Sequence, residues 1–68
     1  MKKVLSERLR FLRERENMTQ DAVAKAVGIA PRTYQNYEAG EREPHVSTFV
    51  ALAQLFHVSL EYLAGLEE

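Results

Sequence analysis

The sequence predicts an all-α fold, a compact domain of five short helices, and three observations support this. Apolar residues recur at the spacing of one helical face, as Leu5, Leu9 and Leu12 do in the first segment. No segment alternates apolar and polar residues in the manner of a half-buried strand. Glycine and proline fall between the periodic segments, at the places where helices end and begin.

The first two helices are separated by a short break. The first helix is predicted over residues 5–16, and Asn17 and Met18 interrupt it. Thr19 is a suitable N-cap for the second helix, because its hydroxyl can accept a hydrogen bond from a backbone N–H of the first turn. This helix is expected to stop at Gly28, since glycine readily adopts the left-handed conformation of a helix end.

Pro31 is predicted to begin the third helix rather than to break one. At the first helical position its missing N–H would be unpaired in any case, and its fixed φ is already helical. The third helix is expected to end at Gly40, and Pro44 closes the loop that follows. The fourth helix and a short fifth helix capped by Ser59 then bury apolar faces made of Phe49, Leu52, Ala53 and Phe56, and of Leu60, Leu63 and Leu66.

The second and third helices are predicted to form a helix-turn-helix over about residues 19–39, because a short turn containing glycine separates them. Ala24 is small where the two helices must cross closely. The core between them is expected to be closed by Val23, Val27, Ile29, Tyr34 and Tyr37, with the tyrosine hydroxyls at its rim. Four polar side chains then point outwards, those of Arg32, Thr33, Gln35 and Asn36. Arginine suits the edge of guanine, and asparagine or glutamine suits adenine.

The composition limits the other classes of function. The 68 residues suffice for a single domain, 1–68, and leave no room for a substrate cleft. There is no cysteine, and His45 and His57 lack the spacing of a ligand pair, so no metal or other cofactor is expected. No nucleophile–base pair is apparent, so the chain is not expected to be an enzyme, and no small-molecule ligand is evident.

Charge and hydropathy bear on the partner and the location. No apolar run is long enough to span a bilayer, and the charged N-terminus does not resemble a signal peptide, so a cytoplasmic, nucleoid-associated protein is expected. A net charge of −1 argues mildly against nucleic acid, whose partners usually carry an overall basic surface. An uneven distribution can nonetheless present one positive face, and basic residues crowd the first segment at Lys2, Lys3, Arg8, Arg10, Arg13 and Arg15.

The run of residues 8–44 resembles the phage repressor/Cro-type helix-turn-helix family, also called the xenobiotic-response-element-type family. The matching positions in this run are Leu9, Leu12, Arg13, Thr19, Gln20, Val23, Ala24, Gly28, Ile29, Tyr37, Glu38, Gly40 and Pro44. In the last two helices the pattern is matched by Phe49, Leu52, Ala53, Phe56, Val58, Ser59 and Leu63. No single motif is specific, but the whole set in order is, and it covers nearly the entire chain.

The resemblance implies a set of contacts with double-stranded DNA. The positions that match residues facing the major groove are Arg32, Thr33, Gln35 and Asn36. Gln20 is expected to hold a phosphate at the start of the second helix, with help from Thr19, because the N–H groups of a helix N-terminus favour an anion. Arg42 matches a loop that meets the phosphate backbone, and Arg10 and His45 are further candidates for phosphate contact.

The resemblance also implies an internal salt bridge between Arg13 and Glu38, which ties the first helix to the third. Five positions depart from the family pattern. Ala39 stands where a polar residue often supports the loop, and His45 replaces the usual cap of the fourth helix. Pro31 stands where some members place a base-reading amide, and proline offers no donor. Glu41 and Glu43 stand where lysine or arginine is common, which weakens the expected electrostatic attraction to DNA.

Dimerisation is expected, because one recognition helix reads only a few base pairs. Two half-sites one helical turn apart, roughly 34 Å, require a symmetric dimer. The most apolar stretch is VSLEYLAGL, and the interface candidates in it are Val58, Leu60, Tyr62 and Leu66. In the alternative interpretation, Leu60 and Leu66 simply complete the core.

Two functional hypotheses follow from different classes. The first is a sequence-specific transcriptional regulator, a repressor that occupies a palindromic operator as a homodimer with the third helix in the major groove. The second is a protein-binding module, such as an antitoxin or anti-repressor, in which DNA binding is secondary. The acidic residues Glu41 and Glu43 favour the second hypothesis somewhat.

Overall fold

A computed structural model describes residues 1–66, and within them the fold is all-α, as predicted. Its five helices, in chain order, are α1 (Lys2–Arg15), α2 (Gln20–Val27), α3 (Pro31–Glu38), α4 (Val46–Phe56) and α5 (Leu60–Ala64). The first helix begins at Lys2 rather than at Leu5. None of the helices in this part of the chain is both long and apolar enough to cross a membrane.

The helix ends follow the capping residues that the sequence predicts. The Thr19 hydroxyl accepts a hydrogen bond from the Ala22 N–H at 3.0 Å, and the Ser59 hydroxyl accepts one from the Tyr62 N–H at 3.0 Å. Each satisfies a first-turn donor that has no partner within its own helix. Pro31 occupies the first turn of α3, so it begins that helix and does not interrupt it.

In the part of the chain that the structure describes, two helices are followed by a non-glycine residue with a positive φ, Asn17 after α1 and His57 after α4. His57 ends α4 with φ 56°, in the left-handed region that a non-glycine residue seldom adopts. Its backbone N–H donates to the Gln54 carbonyl at 3.3 Å, and the next N–H, that of Val58, donates to the Ala53 carbonyl at 3.0 Å. These bonds satisfy the last carbonyls of α4 and turn the chain toward α5.

A single core draws on every helix. Its buried apolar members are Leu5, Leu9, Leu12, Val23, Ala24, Tyr34, Tyr37, Leu52, Ala53, Phe56 and Leu63. Three residues that the sequence places in the core, Val27, Ile29 and Phe49, are only partly buried and pack against its edge. Of the three leucines predicted to form the apolar face of the fifth helix, only Leu63 is buried. Leu60 is 39% exposed and Leu66 is 79% exposed. These two leucines therefore do not complete the core.

The first helix connects the helix-turn-helix to the last helix. It packs against both α3 and α5, while α2 packs against α3 and α4. The contact with the end of α5 is close, since a Cβ added at Gly65 would lie 2.9 Å from Val4 Cγ1, and Gly65 also has φ +81°. The helix-turn-helix is thus packed on α1 through α3 and on α4 through α2.

Candidate nucleic-acid interface

The turn between α2 and α3 is short and hydrogen-bonded. Gly28 has φ +77°, its N–H donates to the Lys25 carbonyl at 3.3 Å, and the Ile29 N–H donates to the Ala24 carbonyl at 2.9 Å. This pair of bonds is a Schellman motif, which needs a left-handed residue where glycine stands. Pro31 then begins α3 directly. The direction of α3 relative to α2 is therefore set by local backbone geometry.

The third helix has one buried and one accessible face. Tyr34 is fully buried and Tyr37 is buried, with their rings edge to face at a centroid distance of 6.5 Å. Of the predicted base-contacting residues, Arg32 and Gln35 are exposed, and Thr33 and Asn36 are half-buried. Within residues 1–66, none of these last four side chains has a hydrogen-bond or ion-pair partner. Their donors and acceptors are available to a ligand that approaches this face.

A buried carboxylate fixes the position of α3. The side chain of Glu38 is 2% exposed and accepts hydrogen bonds from three helices. Arg13 of α1 donates from Nε to Oε2 at 2.6 Å and from Nη2 to Oε1 at 3.2 Å. Gln20 of α2 donates from Nε2 to Oε1 at 3.1 Å, and the Tyr34 hydroxyl donates to Oε2 at 2.5 Å. We call these four residues the Glu38 cluster.

The Glu38 cluster satisfies a charge that burial alone would disfavour. Burial raises the pKa of Glu38, but the hydrogen bonds from Arg13, Tyr34 and Gln20 and the charge of Arg13 outweigh it, so the pKa lies below its usual value. The hydrogen bond to Glu38 raises the pKa of Arg13. Burial, followed by the hydrogen bond to Glu38, raises the pKa of Tyr34. The group is therefore an ionised pair with a neutral phenol.

Arg13 also joins α1 to the start of α2, because its Nη1 donates to the Met18 carbonyl at 3.0 Å. The predicted salt bridge between Arg13 and Glu38 is thus present and forms part of a larger network. Sequence reasoning did not include Gln20 or Tyr34 in it. The expectation that the Tyr34 hydroxyl lies at the rim of the core is wrong, because that hydroxyl donates a hydrogen bond to the buried carboxylate of Glu38. The spacing of Tyr34 and Glu38, one helical turn apart, was the available signal.

The predicted phosphate contacts lie around the start of α2. Gln20 is half-buried and uses an amide N–H to reach Glu38, which leaves its second N–H unused within residues 1–66. Thr19 is exposed, and its hydroxyl accepts from Ala22 while its own O–H can still donate. The backbone N–H groups of this first turn lack partners within the helix, which favours an anion, although the Asp21 carboxylate stands beside them.

The remaining phosphate candidates lie on either side of α3. Arg10 on α1 has a 60% exposed side chain whose Nε is 3.9 Å from Glu38 Oε1, so it borders the Glu38 cluster. Arg42 and His45 are exposed in the segment that joins α3 to α4. His45 is the N-cap residue of α4, but its side chain makes no capping hydrogen bond. Both side chains are therefore accessible to solvent in the segment after α3.

The dimer candidates lie on and beside α5, whose main contacts are with α1 and α4. Leu60 and Leu66 are exposed, while Val58 and Tyr62 are half-buried against the core. Tyr62 is also engaged by α1, because the Arg8 guanidinium lies 4.3 Å from its ring centroid and donates to its carbonyl oxygen. The apolar surface that these residues offer is thus composed mainly of the two leucines.

Residues 1–66 contain no group of three or more histidine, cysteine or acidic side chains arranged to hold a metal ion. The candidate interface offers amide, hydroxyl and guanidinium groups from α1, α2, α3 and the segment after α3. Such groups recognise a ligand through hydrogen bonds and charge.

Comparison with known proteins identifies the family. A family model described as Helix-turn-helix matches residues 9–63. The chain is 39% identical over 62 residues to the uncharacterized HTH-type transcriptional regulator YobD of Bacillus subtilis (strain 168), covering 91% of this chain and 55% of that protein. It is 34% identical over 64 residues to the HTH-type transcriptional regulator ImmR of the same organism, covering 94% of this chain and 50% of that protein.

A phage protein is among the relatives as well. The cryptic phage CTXphi transcriptional repressor RstR of Vibrio cholerae serotype O1 is 34% identical over 61 residues, which is 90% of this chain and 54% of that protein. The chain spans about half the length of the curated relatives it matches. No solved structure matches significantly. The matched family model, the order of the five helices and these relatives together place the chain in the phage-repressor-type helix-turn-helix family.

Proposed function

We propose that this chain binds double-stranded DNA and regulates transcription, with α3 lying in the major groove. The observation that carries the proposal is the accessible polar face of α3, whose opposite face is locked by Tyr34, Tyr37 and the Glu38 cluster. A helix that reads base edges must present donors and acceptors in a fixed orientation, because each bidentate contact depends on geometry. The relatives named as transcriptional regulators and as a phage repressor support the same function.

The proposed contacts divide into two kinds. Arg32, Thr33, Gln35 and Asn36 contact bases, with Arg32 suited to guanine and the two amides to adenine. The residues that contact phosphates are Thr19, Gln20, Arg10, Arg42 and His45. Phosphate contacts set the position of the protein on the duplex, and base contacts supply sequence preference. The Glu38 cluster connects the two kinds of contact, because Gln20 donates a hydrogen bond to Glu38, which is the last residue of α3.

The proposed assembly is a homodimer on a palindromic operator, acting as a repressor by occupancy. Leu60 and Leu66 support it, since apolar side chains exposed to this degree are suited to a contact between copies. Val58 and Tyr62 complete the candidate surface. An isologous contact between two such surfaces places two recognition helices on one duplex. No chemistry is part of this mechanism, and the proposed location is the cytoplasm, on the nucleoid.

A second candidate function is a protein-binding module, and one observation favours it. The exposed cations near α3, Arg10, Arg32 and Arg42, are matched by the exposed carboxylates of Asp21, Glu41 and Glu43. Most proteins that bind DNA present a basic surface instead. In this alternative the same face of α3 binds a protein partner, as in an antitoxin or an anti-repressor.

A salt titration separates the two functions. Fluorescence anisotropy measures the affinity of the chain for labelled duplex DNA between low and physiological salt. If DNA is the ligand, the logarithm of the affinity falls linearly with the logarithm of the salt concentration, with a slope of about 0.9 for each phosphate neutralised. Absence of binding at low salt, or an affinity that does not depend on salt, would exclude DNA as the main partner.

A further inference from the structure

We propose that Glu41 and Glu43, in the segment after α3, weaken the electrostatic attraction between the protein and DNA phosphates. Stable binding to DNA then requires the base contacts of α3. This inference rests on the proposed function. It assigns to two carboxylates a role in affinity that is opposite to that of the phosphate-contacting residues.

The end of α3 holds Glu41 in a defined position. Gly40 has φ +75°, its N–H donates to the Tyr37 carbonyl at 3.2 Å, and the Glu41 N–H donates to the Asn36 carbonyl at 3.0 Å. This is also a Schellman motif, and it stops the helix and turns the chain in one direction. Because Asn36 is one of the proposed base-contacting residues, the Glu41 backbone is bonded directly to the recognition helix.

Both carboxylates are exposed and uncompensated. Glu41 and Glu43 flank Arg42, yet among residues 1–66 no salt bridge joins Arg42 or any other cation to either of them. The other acid of this region, Glu38, is buried and paired with Arg13, so it presents no free charge to a duplex. The negative charges that face a ligand just beyond the end of α3 are therefore those of Glu41 and Glu43.

These charges act against phosphates more than against bases. Non-specific binding to DNA comes almost entirely from contact with phosphates, so a nearby carboxylate opposes the attraction that would hold the protein on any sequence. A sequence-specific complex has base contacts in addition and stays bound despite the repulsion. Arg10, Arg32 and Arg42 are exposed cations on α1, on α3 and after α3. Two negative charges offset a large part of the positive charge that these three arginines present to phosphates. The outcome is a protein with low affinity for DNA in general.

The test compares single substitutions that each remove one negative charge. Glu41→Gln and Glu43→Gln remove it beside α3. The matched control is Glu61→Gln, because Glu61 is exposed on α5, whose main contacts are with α1 and α4. Each variant is titrated at several salt concentrations with two probes, a duplex of mixed sequence and a duplex enriched from random sequences by the wild-type chain.

Glu41→Gln and Glu43→Gln should each raise the affinity for both duplexes by about two- to threefold at low salt, as expected for one charge several ångströms from a phosphate in water. The salt dependence should become steeper by up to about 1 for each substitution. Glu61→Gln should change neither quantity appreciably, and the preference for the enriched duplex should be the same in all variants.

Two outcomes would overturn the inference while leaving the proposed function intact. Wild-type protein that binds in a salt-dependent manner, with Glu41→Gln and Glu43→Gln both behaving like Glu61→Gln, would show that the carboxylates are too far from phosphates to act. A gain in affinity for the enriched duplex alone would mean that they act on sequence preference. Failure of the wild-type chain to bind either duplex at low salt contradicts the proposed function itself and the inference with it.

Discussion

The Glu38 cluster predicts that Glu38→Gln, which preserves shape and removes one charge, strongly destabilises the fold. The side chains of Glu38 and Arg13 are 2% and 16% exposed, so the pair is largely withdrawn from water. Loss of one partner from a buried pair costs about 3–5 kcal/mol, because the other charge stays buried without compensation. The new amide nitrogen replaces one carboxylate oxygen, so its N–H groups face the donors of that oxygen, either Arg13 with Gln20 or Arg13 with Tyr34. Since Arg13 keeps some exposure and the amide oxygen still accepts, we expect a loss of about 2–3 kcal/mol.

This loss is large for a domain of this size, whose whole unfolding free energy is about 3–10 kcal/mol. Urea unfolding followed by far-UV circular dichroism measures it at pH 7, and thermal unfolding should show a melting temperature lower by at least about 8 °C. The matched control is Glu61→Gln, an exposed glutamate whose substitution should change the unfolding free energy by no more than about 0.5 kcal/mol. A Glu38→Gln variant as stable as the control would refute the reasoning.

The pH dependence of the unfolding free energy tests the same prediction independently. The pKa of Glu38 is lowered in the folded state, so its ionised form contributes stability above the pKa of the unfolded chain, about 4.3 for glutamate. That contribution is lost as the pH falls through the folded pKa. Glutamine does not titrate, so the difference between wild type and Glu38→Gln should narrow below about pH 4. A difference that stays constant through this range would show that the charge of Glu38 is not what stabilises the fold.

Three substitutions at helix ends test the fold, each by the sign of the change in unfolding free energy. Gly65→Ala should lower it by about 2 kcal/mol, because the new Cβ would meet Val4 Cγ1 at 2.9 Å and φ is +81°. His57→Gly should raise it by up to about 1 kcal/mol, since a left-handed φ of 56° costs a non-glycine residue energy that glycine does not pay. Thr19→Ala should lower it by about 1 kcal/mol through loss of the hydrogen bond from the Ala22 N–H. A change of the opposite sign would contradict the explanation of that helix end.

The features that could be predicted from the sequence are the local ones. Caps such as Thr19 and Ser59 and the turn at Gly28 follow from the chemistry of one residue and its neighbours. The role of Pro31 follows from its missing N–H and its fixed φ. The salt bridge between Arg13 and Glu38 came instead from a resemblance to a family, since no spacing along the chain connects these residues.

The features that could not be predicted depend on how the helices pack. The amide of Gln20 reaches Glu38 only because α1, α2 and α3 meet at one point, and helical periodicity carries no information about that meeting. The exposure of Leu66 could not be anticipated either, because the apolar pattern of α5 fits a buried face as well as a free one. The apolar pattern predicts Phe49 in the core, yet this side chain packs at the edge of the core.

The central claim, that α3 reads base edges, is tested most directly by comparing Arg32→Ala with Arg42→Ala in a selection from random duplexes. Each substitution removes one positive charge from an exposed arginine, so the two variants differ only in where the charge is lost. Arg32→Ala should relax the preference at one position of the enriched sequence, at a cost of about 1–3 kcal/mol for the original base. Arg42→Ala should weaken binding to all sequences about equally and reduce the salt dependence by about 1. If both variants keep the wild-type preference at every position, α3 does not read the bases as proposed.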